Sequence, residues 1–217
     1  MKNKKLKIKA IIFDVGEVLF LSKKKNQDGK GILSSFREAC LLLKNINVDL
    51  KQVYNDTREI YFKSSKGEIS KKETLQLFSE KLRISPEKTE KAFEEDYKIN
   101  TIENKTLYNY VLKLKKRGYK IGISSIQFHL SKDVLIRKKY YENFDALQIS
   151  CEDGLRKPDK KAFEFVLKKL KVKPEESVFI DDKRENLDVA KELGMKTILF
   201  KNNRQLIKNL EQFGVKI

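Results

Sequence analysis

Apolar residues along this chain fall into two rhythms. Residues 7–13 read Lys-Ile-Lys-Ala-Ile-Ile-Phe, a short apolar run that ends on Asp14 and is followed by Gly16. Such a run predicts a buried strand with a carboxylate at its C-terminal end. From about residue 34 to residue 93 the period lengthens, and four helix-like segments follow one another with no convincing strand between them. The third opens with Ser70-Lys71-Lys72-Glu73, a capping box in which Ser70 and Glu73 satisfy each other's backbone donors. The fourth opens with Ser85-Pro86, an N-cap with proline in the first helical position.

After Asn104 the pattern alternates. A helix runs to Arg117 and stops at Gly118, and residues 119–125 predict a strand. A helix near 130–140, a strand at 145–150 and a helix after Pro158 follow. The strand at 177–181, a helix ending at Gly194, a strand at 197–200 and a helix near 204–212 complete the chain. Alternation of this kind implies a mostly parallel sheet with helices on both faces. The expected fold is therefore α/β, a doubly wound, mostly parallel, Rossmann-like sheet. Residues 1–19 and 101–217 form its core, and residues 20–100 are a helical insertion after the first strand.

Composition narrows the class. With 40% hydrophobic and 36% charged residues over 217 positions, the chain belongs with globular proteins that bury a sizeable core. No apolar run approaches the roughly 18 residues of a membrane span, and Asp14 and Glu17 interrupt the N-terminal run, which makes it a poor signal peptide. Cys40 and Cys151 stand far apart in no metal-type spacing and read as reduced thiols in a cytoplasmic protein. The only histidine, His129, reads as a solvent-side loop residue. The net charge of +17 comes from lysines scattered over nearly every helix, without arginine-aromatic interleaving, so no nucleic-acid partner is expected. Such a surface raises the local concentration of anionic substrates.

In open parallel sheets ligands bind beyond the carboxyl ends of the strands. The first strand delivers Asp14 there, the second Ser125 and the fourth Asp181 and Asp182, while Lys157 follows the third, just ahead of Pro158. Ser124 precedes Ser125, and a shift of one residue would exchange the two. Converging carboxylates repel one another unless a cation neutralises them. An all-oxygen donor set without His or Cys points to Mg²⁺. Lys157 and Ser125 are placed to hold phosphoryl oxygens, and positioning plus charge stabilisation is most of what phosphoryl transfer requires.

Four strings now carry a resemblance. "IIFDVGEVLF", "GYKIGISS", "GLRKPDKKAF" and "VFIDDKRENLDVAKELGM" resemble, in order, the four motifs of the haloacid dehalogenase-like hydrolases. The resemblance implies a helical cap over residues 20–100 and a catalytic core from the rest. It implies Asp14 as nucleophile and metal ligand, the carbonyl of Gly16 and Asp182 as further ligands of Mg²⁺, and Asp181 beside them, either as one more metal ligand or directly behind the ligands. Ser125 and Lys157 would hold the phosphoryl group of a small phosphorylated metabolite, and Asn186 would orient the metal loop. Two positions depart from the pattern. Gly16 stands where these phosphatases usually carry a second Asp that protonates the leaving group, and Ile126 stands where Asn is common. The Asp-x-Gly start and the segment "SKGEISKKE" are similar to a branch acting on sugar 1-phosphates. Alternatives are a catalytically weak relative that binds a phosphorylated ligand or a protein partner, and, last, a 2-haloacid dehalogenase.

Overall fold

A computed structural model describes residues 7–23 and 50–217. Strand β1 (Ala10–Phe13) sits at the centre of a five-stranded sheet with β4 (Lys120–Ser125), β5 (Ala146–Ile149), β6 (Ser177–Asp181) and β7 (Lys196–Leu199), in the order β5-β4-β1-β6-β7. Every pairing is parallel. Side chains alternate between faces along a strand. In β1, Ile11 and Phe13 join one core with Ile121, Ile123, Val178 and Ile180. Ala10 and Ile12 join a second with Phe163, Val166, Leu170 and Phe179. Burial on both faces is why these strands read as continuous apolar runs. Gly122 brings helix and sheet close: a Cβ there would lie 2.9 Å from Leu170 and 3.3 Å from Ile12 and Val166.

The connecting helices are α4 (Lys105–Lys116), α5 (His129–Leu135), α6 (Lys138–Tyr141), α7 (Ser150–Asp153), α8 (Lys160–Leu170), α9 (Arg184–Glu192) and α10 (Asn203–Gln212). The predicted helix at 130–140 is two helices, broken at Ile136 and Arg137. At about 100° per residue, a continuous helix would turn Leu135 and Tyr140 roughly 140° apart. The break lets Leu135, Tyr140 and Tyr141 all bury, and Tyr140 packs tilted against Tyr108 with ring centroids 4.1 Å apart.

Between β1 and the rest of the sheet come α1 (Leu50–Ser65), α2 (Lys71–Leu82) and α3 (Pro86–Asn100). The first of the four helix-like segments of the sequence lies outside the described residues, as does Cys40. The capping box on α2 is formed, with the Ser70 N–H donating to Glu73 Oε2 (2.8 Å) and the Glu73 N–H to Ser70 Oγ (3.2 Å). Ser85 caps α3.

Two strands absent from the sequence reading frame this helical segment. β2 (Phe20–Ser22) pairs antiparallel with β3 (Thr101–Glu103), joining the chain's exit from the core to its return. Three residues span too little of a period-two pattern to register. The core grips the helical segment through Phe128, 1% exposed, whose ring lies 5.2 Å from Tyr61, 5.6 Å from Phe93 and 6.3 Å from Phe78. His129 is not a solvent-side loop residue. It opens α5, its N–H donates to Ser64 Oγ (3.3 Å), and its Nε2 meets the Ile69 carbonyl at 3.0 Å. Cys151 is buried and unpaired, its thiol pushed up to about 12 by burial first and by Glu152 next.

Candidate active site

The parallel register sets the strand ends level. Phe13 pairs with Ile123 of β4 and Ile180 of β6, so Asp14 and Asp181 leave neighbouring strands level with Ser124, and Ser125 lies one residue further along the same edge. Asp14, Asp181 and Asp182 each offer a carboxylate oxygen within 4.8 Å of the other two. Lys157 enters from the loop ahead of α8, 1% exposed. Its Nζ donates to Asp14 Oδ1 (3.0 Å) and Asp181 Oδ2 (2.6 Å).

The two adjacent acids differ in their surroundings. Asp181 is fully buried and committed: besides Lys157 it accepts from the Lys183 N–H (2.8 Å) and from Asn186 Nδ2 (3.0 Å). Helix α9 has no side-chain cap. Asn186, read from sequence as orienting the metal loop, holds Asp181.

Electrostatics follow from this crowding. Burial, and then Asp14 and Asp181, push the Asp182 carboxyl up to about 7. Burial also raises Asp14, against the opposing pull of Lys157. Burial disfavours the charged form of Lys157, but Asp14 and Asp181 outweigh it and leave the ammonium above its ordinary value. Fully ionised, three carboxylates against one ammonium leave two negative charges, the complement of one divalent cation. The donor set is all oxygen, which suits Mg²⁺.

The two serines part ways. Ser124, fully buried, donates to Gln148 Oε1 (2.8 Å) between β4 and β5. Ser125 ends β4 with its hydroxyl accepting from Gln127 Nε2 (2.9 Å). Among the described residues no hydrogen bond joins Ser125 to the acid-lysine cluster. Gly16 forms an isolated bridge with Phe20. Next to it, Glu17 takes a positive φ of 55°, and its Oε1 accepts from the Ser22 N–H (3.1 Å) and hydroxyl. The loop after Asp14 is thus tied to β2, a contact that nothing in the residue pattern announces. Arg156, the neighbour of Lys157, turns toward α1 and lies 4.9 Å over the Phe62 ring.

A family model for haloacid dehalogenase-like hydrolases matches residues 8–194, which takes in the helical segment and all four motif strings save the final Met195. The chain belongs to the haloacid dehalogenase-like hydrolases. Among curated relatives, bifunctional epoxide hydrolase 2 of Rattus norvegicus is 30% identical over 161 residues, covering 68% of this chain and 29% of the rat protein. The chain thus spans under a third of that relative's length. Glyceraldehyde 3-phosphate phosphatase of Pyrococcus furiosus is 34% identical over 103 residues, covering 46% of this chain and 43% of the archaeal protein. Among solved structures, a haloacid dehalogenase-family enzyme of Bacteroides thetaiotaomicron, in complex with magnesium and inorganic phosphate, superposes with a TM-score of 0.71 at 21% identity. That match covers 92% of this chain and 98% of the other. This chain and the Bacteroides enzyme therefore share a fold.

Proposed function

We propose that this hydrolase is a Mg²⁺-dependent phosphatase of small phosphorylated metabolites, working through an aspartyl-phosphate on Asp14. One observation carries the reading. The strand-end cluster combines Asp14, Asp181, Asp182 and the buried Lys157, a set that carries minus two when fully ionised. Asp14, Asp182 and the carbonyl of Gly16 would hold Mg²⁺, which would supply charge stabilisation to the phosphoryl oxygens. Asp181, whose oxygens are already engaged, would act beside the ion by fixing Lys157.

The chain's own groups account for the rest. An Asp14 oxygen attacks phosphorus, the bond to the leaving oxygen breaks, and the phosphoryl group becomes an acyl phosphate. Water then hydrolyses that acyl phosphate, releasing inorganic phosphate and restoring the carboxylate. An ammonium has three N–H donors. Lys157 gives two to carboxylates, so one remains for a phosphoryl oxygen, and Ser125 would serve another. Residues 20–100 would form the cap that selects the substrate.

Gly16 offers no side chain to protonate the leaving group. Substrates whose leaving oxygen tolerates negative charge, such as aryl, acyl and anomeric sugar 1-phosphates, should therefore outrun primary-alcohol esters. A phosphate-release panel over these classes, with and without chelator, tests the reading. Mg²⁺-dependent release ranked by leaving group is expected, and full activity in excess chelator would overturn it. No release from any ester would favour the alternative, a phosphate-ligand-binding relative.

A further inference from the structure

We infer that Gln127 is a positioning residue that leaves the Ser125 hydroxyl proton free for a phosphoryl oxygen, an inference that rests on the phosphate-binding role proposed for Ser125. A serine hydroxyl has one proton and two lone pairs. Ser125 is 1% exposed and Gln127 4%, so water is scarce at both. The Gln127 carboxamide donates from Nε2 into Ser125 Oγ at 2.9 Å and accepts at Oε1 from the Ser131 hydroxyl at 2.7 Å. With that lone pair occupied by a donor, the Ser125 proton must go elsewhere. Among the described residues no acceptor for it is in place. It is therefore held in reserve for an anion arriving at the end of β4.

The direction of the amide is the point of the device. Reversed, its oxygen would take the Ser125 proton and leave nothing to donate. Gln127 is itself held rigidly. Its backbone N–H donates to Ser150 Oγ and its carbonyl accepts from the same hydroxyl, both at 3.0 Å. Ser131 also receives the Phe128 N–H at 3.2 Å. These bonds tie the residue to the start of α7 and the first turn of α5, and the Ser131 hydroxyl donating to Oε1 sets which way the carboxamide faces. Phe128 adjoins it and packs into the helical segment, which pins the loop from the other side. Ile126, which stands where the family commonly has Asn, carries no donor, and Gln127 supplies the amide one residue later.

Binding of inorganic phosphate in the presence of Mg²⁺, measured by calorimetry on folded protein, reads this out without a known substrate. Ser125→Ala should weaken phosphate about tenfold, the loss of a hydrogen bond to a charged group. Gln127→Met keeps the volume but cannot donate, and should weaken phosphate roughly three- to tenfold. That loss should vanish in the Ser125→Ala background, because the amide acts only through the hydroxyl. Gln127→Glu should weaken binding more, and should recover relative to the native protein as pH falls and the carboxyl regains a proton to donate. A Gln127→Met protein that binds phosphate within twofold of the native one would overturn the inference. So would a loss that repeats in full on Ser125→Ala. Native-like binding by Ser125→Ala itself would instead overturn the role of Ser125, a separate failure.

Discussion

The strand-end cluster and the helical segment above it satisfy their polar groups in opposite ways. At the strand ends, buried charges pair across long stretches of chain: Lys157 reaches Asp14 and Asp181, which lie 143 and 24 residues away. Within the helical segment, apart from its contacts to His129 and the exposed Lys71–Asp133 pair, partners are close in sequence. Ser70 and Glu73 cap each other, and Glu59–Lys63 and Glu94–Lys98 lie one helical turn apart on exposed faces. Even the buried hydroxyl pairs there, Ser64 with Thr74 and Ser79 with Thr89, span only ten residues. A buried pair that loses one partner strands a charge in low dielectric, whereas an exposed pair is rehydrated. The site should thus be fragile toward single substitutions, and the helical segment tolerant.

The largest effect should come from Asp14→Asn, which keeps the side-chain shape but removes the attacking charge. Turnover should fall by at least about 10³, and activity surviving the change would place the chemistry elsewhere. Next comes Lys157→Met, which leaves Asp181 buried without its cation. Urea unfolding should show a loss of about 3–5 kcal/mol. A loss under 1 kcal/mol would erase the contrast between the two regions.

Acidity sharpens the comparison further. With chelator present, the folded protein holds the Asp182 proton up to about pH 7, whereas the unfolded chain releases it near the ordinary value of about 4. The folded state binds more protons across that window, so stability should fall as pH rises from about 4 to about 7. Mg²⁺ should restore it, and the gain in melting temperature on adding Mg²⁺ should grow over the same range. A gain that is flat with pH, or a slope unchanged in Asp182→Asn, would contradict the crowding of carboxylates. The smallest effect belongs to Lys98→Ala on α3, whose pairing with Glu94 is exposed. It should cost no more than about 0.5 kcal/mol by thermal melting.

Much of this was legible along the chain. Parallel strands carry their C-terminal residues to one edge whatever their order, so short apolar runs ending in Asp14, Ser125 and Asp181 marked the edge before any contact was known. The caps at Ser70 and Ser85 were legible because a cap is settled within four residues. Legibility failed where a decision needed distant neighbours. His129 looked like a loop residue until Ser64 and Ile69 came to meet it. The short β2 and β3 exist only because the chain leaves and re-enters the core at one place.

The sequence by itself determined the α/β alternation, the edge where the carboxylates gather and the oxygen-only donor set, because each depends on local periodicity and residue type. Only the tertiary structure shows what physically separates the two acids. Asp181 and Asp182 are neighbours of identical chemistry, and no local rule separates them. The buried approach of Lys157, together with Asn186 and the Lys183 N–H, engages the oxygens of Asp181. Asp182 is left with a raised carboxyl. The same holds at Ser124 and Ser125, where Gln148 claims one hydroxyl and Gln127 supports the other. A hydrogen bond between residues far apart in sequence is set by packing, and packing is a property of the whole fold.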